Sequence, residues 1–287
     1  MGRAKEIISY MEGMRNEEQR RVLMRFFKTG PGEYGEGDEF LGLKVPQTRE
    51  VVKRALTIEH SPEVSAMTNL FDHCRAEKDV CGTKLHEHEP LTIDAVPELL
   101  MSKWHEVRLC GLLILVEKFE RLSTKKLLND EAAMRGRDEI VTLYLKYAER
   151  ANNWDLVDLS APKILGGWLT LPSLLGDKGY MEKTLDTLAE SSCLWKQRMS
   201  IVCTWKTSQQ GDPSWCLRYA EKHLHHPHDL MHKAVGWMLR EMGKRCSMDL
   251  LRDFLRQHAD EMPRTALRYA VERMAPEERK YFMYGQI

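Results

Sequence analysis

The sequence has no apolar stretch approaching the roughly 18 residues that a membrane-spanning helix needs. Its start, MGRAKEIISYMEGMRNEEQRR, lacks the apolar core of a secretory signal peptide. Neither sign of charge is in excess, because 43 Lys and Arg residues balance 43 Asp and Glu residues. These absences predict a cytoplasmic globular protein with no membrane contact and no general polybasic coat for nucleic acid. A neutral total still allows one basic face opposed by an acidic face.

Paired cysteine motifs are also missing. The seven cysteines are odd in number, scattered along the chain and never spaced as C-x-x-C, so neither a disulfide framework nor a zinc ribbon is expected. Reduced, buried thiols are the interpretation that fits an intracellular protein. The 287 residues, 43% of them apolar, suffice for a large core in one elongated domain or in two smaller ones.

Strand-like alternation is scarce, whereas apolar residues recur at helical spacing along most of the chain. We therefore predict an all-α protein of about a dozen helices joined by short turns. Two segments are predicted to be loops. One is the glycine-rich connection Thr29–Gly42 within the N-terminal helices of residues 1–60, and the other is the polar stretch Arg75–Pro90. Prolines stand where a first helical turn tolerates them, at Pro62, Pro213 and Pro263.

Four segments repeat a pattern in which a basic residue in the first turn of an apolar helix is followed by a small residue. Their spacing is that of helical-hairpin repeats, which stack into a curved solenoid with a concave binding face. The basic residues would then follow one edge of the curve, where a phosphate backbone can bind. A solvated helix start is the alternative for any one of them. The four basic residues are Arg108, Arg198, Lys233 and Arg268.

Trp154 and Asp158 are four residues apart in the string WDLVD, so they share one face of a helix. Alone, this pair is explained by a core tryptophan and by an aspartate that serves the helix dipole or a cap. Arg198 and Trp237 fall at equivalent positions of the next two repeats. We therefore expect all four side chains on one concave surface.

Four strings between Phe40 and Glu241 carry a resemblance to a known family: FLGLKVPQTR (40–49), NWDLVD (153–158), LWKQR (194–198) and KAVGWMLRE (233–241). On these strings the sequence resembles the AlkD-like DNA alkylation-repair glycosylases. The resemblance implies a single domain over residues 1–287, a right-handed superhelical solenoid of HEAT-like repeats, in which Arg75–Pro90 is an insertion. It also implies a monomeric, monofunctional DNA glycosylase that releases cationic N3- or N7-alkylated purines from duplex DNA without metal or cofactor.

The resemblance implies that Trp154, Asp158 and Trp237 are the catalytic residues and that Arg198 grips the DNA backbone. These residue types suit the reaction. An alkylated purine is cationic and its glycosidic bond breaks through an oxocarbenium-like sugar, which indole faces and a carboxylate stabilise. Further DNA contacts are expected at Lys44, Arg49, Lys206, Lys233 and Arg240.

A metal site is the alternative at the histidine-rich string KHLHHPHDLMH, where His228 and His232 have i, i+4 spacing. Because Pro227 interrupts the helix and no Glu lies between the pair, we predict a helix-joining turn instead, with Asp229 as the N-cap of the following helix. The glycine-rich loop Thr29–Gly42 lacks the lysine of a P-loop and a preceding strand, so no nucleotide site is predicted.

The competing function is a non-catalytic solenoid that binds branched or damaged DNA, or a protein partner, through the same concave face. Phosphate binding alone has no use for a carboxylate at the centre of a basic groove. The presence of Asp158 together with Trp154 and Trp237 therefore favours the enzyme.

Overall fold

The computed structural model describes residues 2–57 and 91–285. Within these ranges the regular structure is helical, with short 3-10 segments at 93–95, 125–127 and 148–150 and one isolated bridge between Glu39 and Trp104. The predicted all-α class is confirmed. No helix in the described ranges is long and apolar enough to cross a membrane. The predicted loop Arg75–Pro90 and the helix start at Pro62 lie outside the described residues.

Internal contacts divide the chain into two compact units, Met1–Lys118 and Phe119–Ile287. The single domain over residues 1–287 stays a prediction. The N-terminal unit contains α1 (Arg3–Gly13), α2 (Glu17–Phe26), α3 (Val45–Thr57), α4 (Val96–Leu100) and most of α5 (His105–Arg121). The C-terminal unit contains α6 (Glu131–Lys146), α7 (Trp154–Thr170), α8 (Lys178–Ala189), α9 (Leu194–Val202), α10 (Thr204–Gln209), α11 (Ser214–Lys222), α12 (Asp229–Arg245), α13 (Met248–His258), α14 (Arg264–Ala270) and α15 (Pro276–Tyr284).

Buried carboxylates fix the glycine-rich connection between α2 and α3. The carboxylate of Glu106, near the start of α5, accepts hydrogen bonds from the backbone N–H groups of residues 41–43 at 2.8–3.0 Å. Asp38 lies in the same connection and pairs with the guanidinium of Arg108. Hydrogen bonds to ionised acceptors are stronger than neutral ones. The predicted loop Thr29–Gly42 is therefore non-helical and bound to α5 by these contacts.

Two glycines let helices of the C-terminal unit approach at backbone distance. α7 packs against α10, and α12 packs against α14. A Cβ atom on Gly166 would lie 2.5 Å from the carbonyl oxygen of Cys203, and one on Gly236 would lie 2.2 Å from that of Ala266. Gly236 is one of the small residues of the repeat pattern, so at this position the small residue of the pattern allows a close helix approach.

We expect Gly236→Ala to lower the thermal midpoint. A methyl group in that contact must push α12 away from α14, and such overpacking costs about 1–3 kcal/mol. Alanine gains at most about 1 kcal/mol over glycine in a helix, so the substitution is expected to be destabilising. Gly179→Ala is the matched control, because the nearest atom to its Cβ is a carboxylate oxygen at 3.3 Å on the flexible side chain of Asp177. Melts followed by circular dichroism measure both. Equal midpoints for the two variants would contradict close packing at Gly236.

Two of the four basic residues of the repeat pattern are buried. Arg108 is 1% exposed and Arg198 is 4% exposed. Each guanidinium pairs with a carboxylate, Asp38 for Arg108 and Asp158 for Arg198. The repeat spacing places a basic residue on a helix but does not reveal its partner when that partner is distant in sequence. A guanidinium is buried where it pairs with a carboxylate, because an unpaired buried charge is strongly destabilising.

Candidate active site

Helix α7 carries two of the predicted catalytic residues. It begins at Trp154, and its N-cap is Asn153, whose side chain accepts a hydrogen bond from the backbone N–H of Trp154 at 2.9 Å. Asp158 lies one turn further along. Both side chains are partly buried, so the start of α7 presents an indole and a carboxylate one turn apart, as the i, i+4 spacing predicts.

The carboxylate of Asp158 is held by two parallel hydrogen bonds from Arg198 on α9. Nε donates to Oδ1 at 2.8 Å and Nη2 donates to Oδ2 at 2.8 Å. The side chain of Arg198 is 5% exposed and that of Asp158 is 16% exposed. This two-bond arrangement matches the planar guanidinium to the planar carboxylate and fixes the orientation of Asp158.

The third nitrogen of Arg198 joins this pair to α12. Nη1 donates to the backbone carbonyl oxygen of Leu230 at 2.6 Å. Leu230 is the second residue of α12, and Trp237 lies about two turns further along the same helix and is partly buried. The structure thus brings Asp158, Arg198 and the start of α12 into contact. The phosphate contact predicted for Arg198 stays a prediction, and such a contact must share a guanidinium that already binds Asp158.

Burial raises the pKa of the Asp158 carboxyl above its usual value, although the charge and hydrogen bonds of Arg198 oppose this shift. The negative charge of Asp155 adds to the rise. A carboxylate with a raised pKa is a stronger base than an exposed aspartate. The base form of Asp158 is lost as the pH falls, and it is lost at a higher pH than for an ordinary aspartate.

The remaining predicted DNA contacts are spread over both units. In the C-terminal unit, Lys233 pairs with Asp229 at 2.7 Å and Arg240 pairs with Glu272. In the N-terminal unit, Lys44 precedes α3 and Arg49 lies on it, and both are exposed. Their roles as DNA contacts stay predictions.

Lys206, the other predicted contact, lines a groove over the C-terminal half of α7. The groove has a volume of about 490 Å³, and its lining includes Phe119 and Gly167. Lys206 and Lys163 also line it. Asp158 does not line this groove, so Lys206 is separated from the Asp158–Arg198 pair.

The histidine-rich string forms the predicted turn between α11 and α12, but the predicted cap is wrong. His228 is the N-cap of α12, because its Nδ1 accepts the backbone N–H of Leu230 at 3.1 Å. Asp229 is the first residue of the helix and pairs with Lys233. Among the described residues, no group of three or more His, Cys, Asp or Glu side chains is arranged to hold a metal ion.

The contact between Arg198 and Leu230 and the capping role of His228 were not predicted from the sequence. Asn and Asp often accept a backbone N–H two residues later in turns. His226 and His228 do the same here. Histidine is not a common N-cap, so residue preference favours the neighbouring Asp229.

The all-α fold is similar to that of a predicted DNA alkylation repair enzyme from Enterococcus faecalis, with a TM-score of 0.58 and 13% sequence identity. The match covers 91% of this chain and 97% of that chain. A protein-family model described as DNA alkylation repair enzyme matches residues 7–90 and 82–274. The chain therefore belongs to the DNA alkylation repair enzyme family, which confirms the family predicted from the sequence. Among curated proteins, none matches this sequence.

Proposed function

We propose that this protein is a monofunctional DNA glycosylase that hydrolyses the N-glycosidic bond of cationic N3- or N7-alkylated purines in duplex DNA. Its family supports a role in the repair of alkylated DNA. The proposal of glycosylase activity rests on the carboxylate of Asp158. Arg198 orients this carboxylate but leaves it 16% exposed, one turn from Trp154.

The residues suit each step of the reaction. The bond between the purine nitrogen and C1′ of the sugar breaks, and its electron pair leaves with the purine, which becomes neutral. Positive charge develops on the sugar, where the carboxylate of Asp158 stabilises it. Water then attacks C1′, and its proton passes to Asp158, whose pKa burial raises. The faces of Trp154 and Trp237 attract the cationic base.

A non-catalytic DNA-binding protein is the second candidate, because a second Asp–Arg pair of the chain, Asp38–Arg108, is almost completely buried and has a structural role. In the N-terminal unit, the side chains of Asp38 and Arg108 are 1% and 2% exposed, so no ligand reaches that pair. The greater exposure of Asp158, 16%, favours the enzyme, because a reacting sugar must contact the carboxylate.

A base-release assay tests the proposal. The protein is incubated with duplex DNA treated with a methylating agent, and free 3-methyladenine and 7-methylguanine are measured by chromatography against the spontaneous background. We expect release of at least one of these bases, and no strand cleavage until alkali is added. Untreated duplex is the control. Binding of the methylated duplex without release of either base would favour the non-catalytic candidate.

A further inference from the structure

The turn that ends at the carbonyl group bound by Arg198 is built from histidine side chains. We call residues His226–Leu230 the histidine turn. It connects α11 to α12, and the carbonyl oxygen of Leu230 accepts a hydrogen bond from Nη1 of Arg198. The position of this oxygen therefore depends on how the turn is held.

Two imidazole rings hold the turn by accepting hydrogen bonds from its own backbone. Nδ1 of His226 accepts the N–H of His228 at 3.1 Å, and Nδ1 of His228 accepts the N–H of Leu230 at 3.1 Å. The ring of His226 also reaches α9, because its Nε2 lies 2.9 Å from Oε1 of Gln197, one residue before Arg198. The ring of His232 donates to the carbonyl oxygen of His226.

The two contacts to Nδ1 require neutral rings. A neutral imidazole has one nitrogen that accepts a hydrogen bond, whereas an imidazolium has two N–H donors and no acceptor. Protonation of His226 or His228 therefore places an N–H against a backbone N–H. When His228 is protonated, the hydrogen bond that caps α12 is lost, and with it the contact that fixes Leu230.

We infer that the histidine turn positions Arg198, and through Arg198 the carboxylate of Asp158, so that uptake of a proton by His228, which caps α12, disorders the site in acidic solution. This inference rests on the proposed function for its effect on catalysis. Its effect on the geometry of Arg198 is independent of that function.

The surroundings favour neutral rings at neutral pH. The charged and titratable groups facing His228 are Asp229, His232 and Lys233 on α12 and Arg198 on α9. His226 faces His228 and His232, and its ring centroid lies 6.0 Å from that of His223. Burial lowers the pKa of both His226 and His228, and only Asp229 opposes the shift at His228.

The sign of the pH effect follows from these lowered pKa values. The unfolded chain takes up protons at an ordinary histidine pKa of about 6.5, before the folded turn does. The stabilising contribution of the neutral rings is therefore present above that pH and is lost as the pH falls through the lower pKa values of the folded state. Loss of order in the turn is expected below neutrality.

A His228→Asn variant separates capping from titration. The Oδ1 atom of Asn accepts the N–H of Leu230 as a favoured N-cap but takes up no proton in this pH range. Excision of methylated purines is measured in single turnovers from about pH 8 to about pH 5, and each profile is normalised to its own plateau. We expect the wild-type rate to fall at least about threefold further over this range than the rate of the variant, because protonation of Asp158 slows both proteins alike and titration of His228 slows only the wild type. His225→Asn is the matched control, because the His225 ring is exposed and pairs with Glu261, away from the backbone of the histidine turn.

Nitrogen-15 NMR of the arginine Nε–H groups gives a readout that needs no enzyme activity. The Nε–H of Arg198 donates to Asp158 and is assigned with Arg198→Lys. We expect its signal to broaden in the wild type and in His225→Asn as the ring of His228 titrates, and to persist to a lower pH in His228→Asn. His228→Ala, which lacks an acceptor, is expected to lose the signal at all pH values, and its plateau rate should lie below that of His228→Asn.

The outcomes are distinguishable. If the Arg198 signal and the normalised profile are the same in the wild type and in His228→Asn, the histidine turn does not position Arg198. If no variant releases a base at any pH but the Arg198 signal follows the histidine titration, the positioning inference stands and the glycosylase proposal fails.

Discussion

An Asp158→Asn variant is expected to release alkylated purines at least about tenfold more slowly than the wild type, since removal of one preorganised electrostatic partner costs a few kcal/mol in the transition state. Asn preserves the shape of the side chain and one oxygen for Arg198, but it neither compensates the positive charge on the sugar nor accepts the proton of water. Affinity for duplex DNA is expected to hold or rise, because a carboxylate that repels phosphate has been removed. Single-turnover release and fluorescence anisotropy measure the two effects.

Loss of stability must be separated from loss of chemistry in this variant. Removing one partner of a buried ion pair costs about 3–5 kcal/mol, because the other charge is left uncompensated. Asp38→Asn is the matched control, since Asp38 pairs with the buried guanidinium of Arg108. At a temperature at which both variants are folded, only Asp158→Asn is expected to be slow. Undiminished release by Asp158→Asn would remove the carboxylate from the mechanism.

The sequence predicted those features that depend on local spacing. Apolar periodicity predicted an all-α chain, because 3.6-residue recurrence describes only one type of regular structure. The i, i+4 spacing of Trp154 and Asp158 predicted that the two residues lie one turn apart on one helix. Motif strings predicted the family, and the family-model match confirms it.

Contacts made by long side chains across the fold could not be predicted in the same way. Arg198 and Asp158 are 40 residues apart, and the direction of a guanidinium depends on which acceptors surround it once the helices have packed. The repeat pattern placed Arg198 at the correct position on its helix, but its hydrogen bonds lead to a carboxylate and to a backbone carbonyl group. The turn at His228 shows the same limit, because its cap depends on the tautomer of a ring and not on residue preference.

Arg198→Lys is expected to slow base release at least about tenfold, because misplacement of a reacting group by about 1 Å costs on the order of a hundredfold. Lysine keeps the positive charge, but its single nitrogen cannot make the two parallel bonds to Asp158 and the bond to Leu230 at the same time. If the residue acts only as a phosphate contact, the lysine variant should bind and react nearly as the wild type does. The rate of base release therefore distinguishes positioning of Asp158 from backbone binding, and the salt dependence of DNA affinity checks that the phosphate contacts are unchanged.

Arg218→Lys is the matched control for this substitution. Arg218 also pairs with an aspartate on a neighbouring helix, Asp186 at 2.8 Å, but its side chain is 47% exposed. Exposed ion pairs contribute about 0–1 kcal/mol, so this variant should retain the wild-type rate and melting temperature. For Arg198→Lys, a wild-type rate with an unchanged salt slope would assign the guanidinium to a phosphate, because lysine keeps the charge that neutralises it. A slow rate with an unchanged salt slope assigns it to Asp158, because the number of phosphates neutralised has not changed while the carboxylate has lost its orientation.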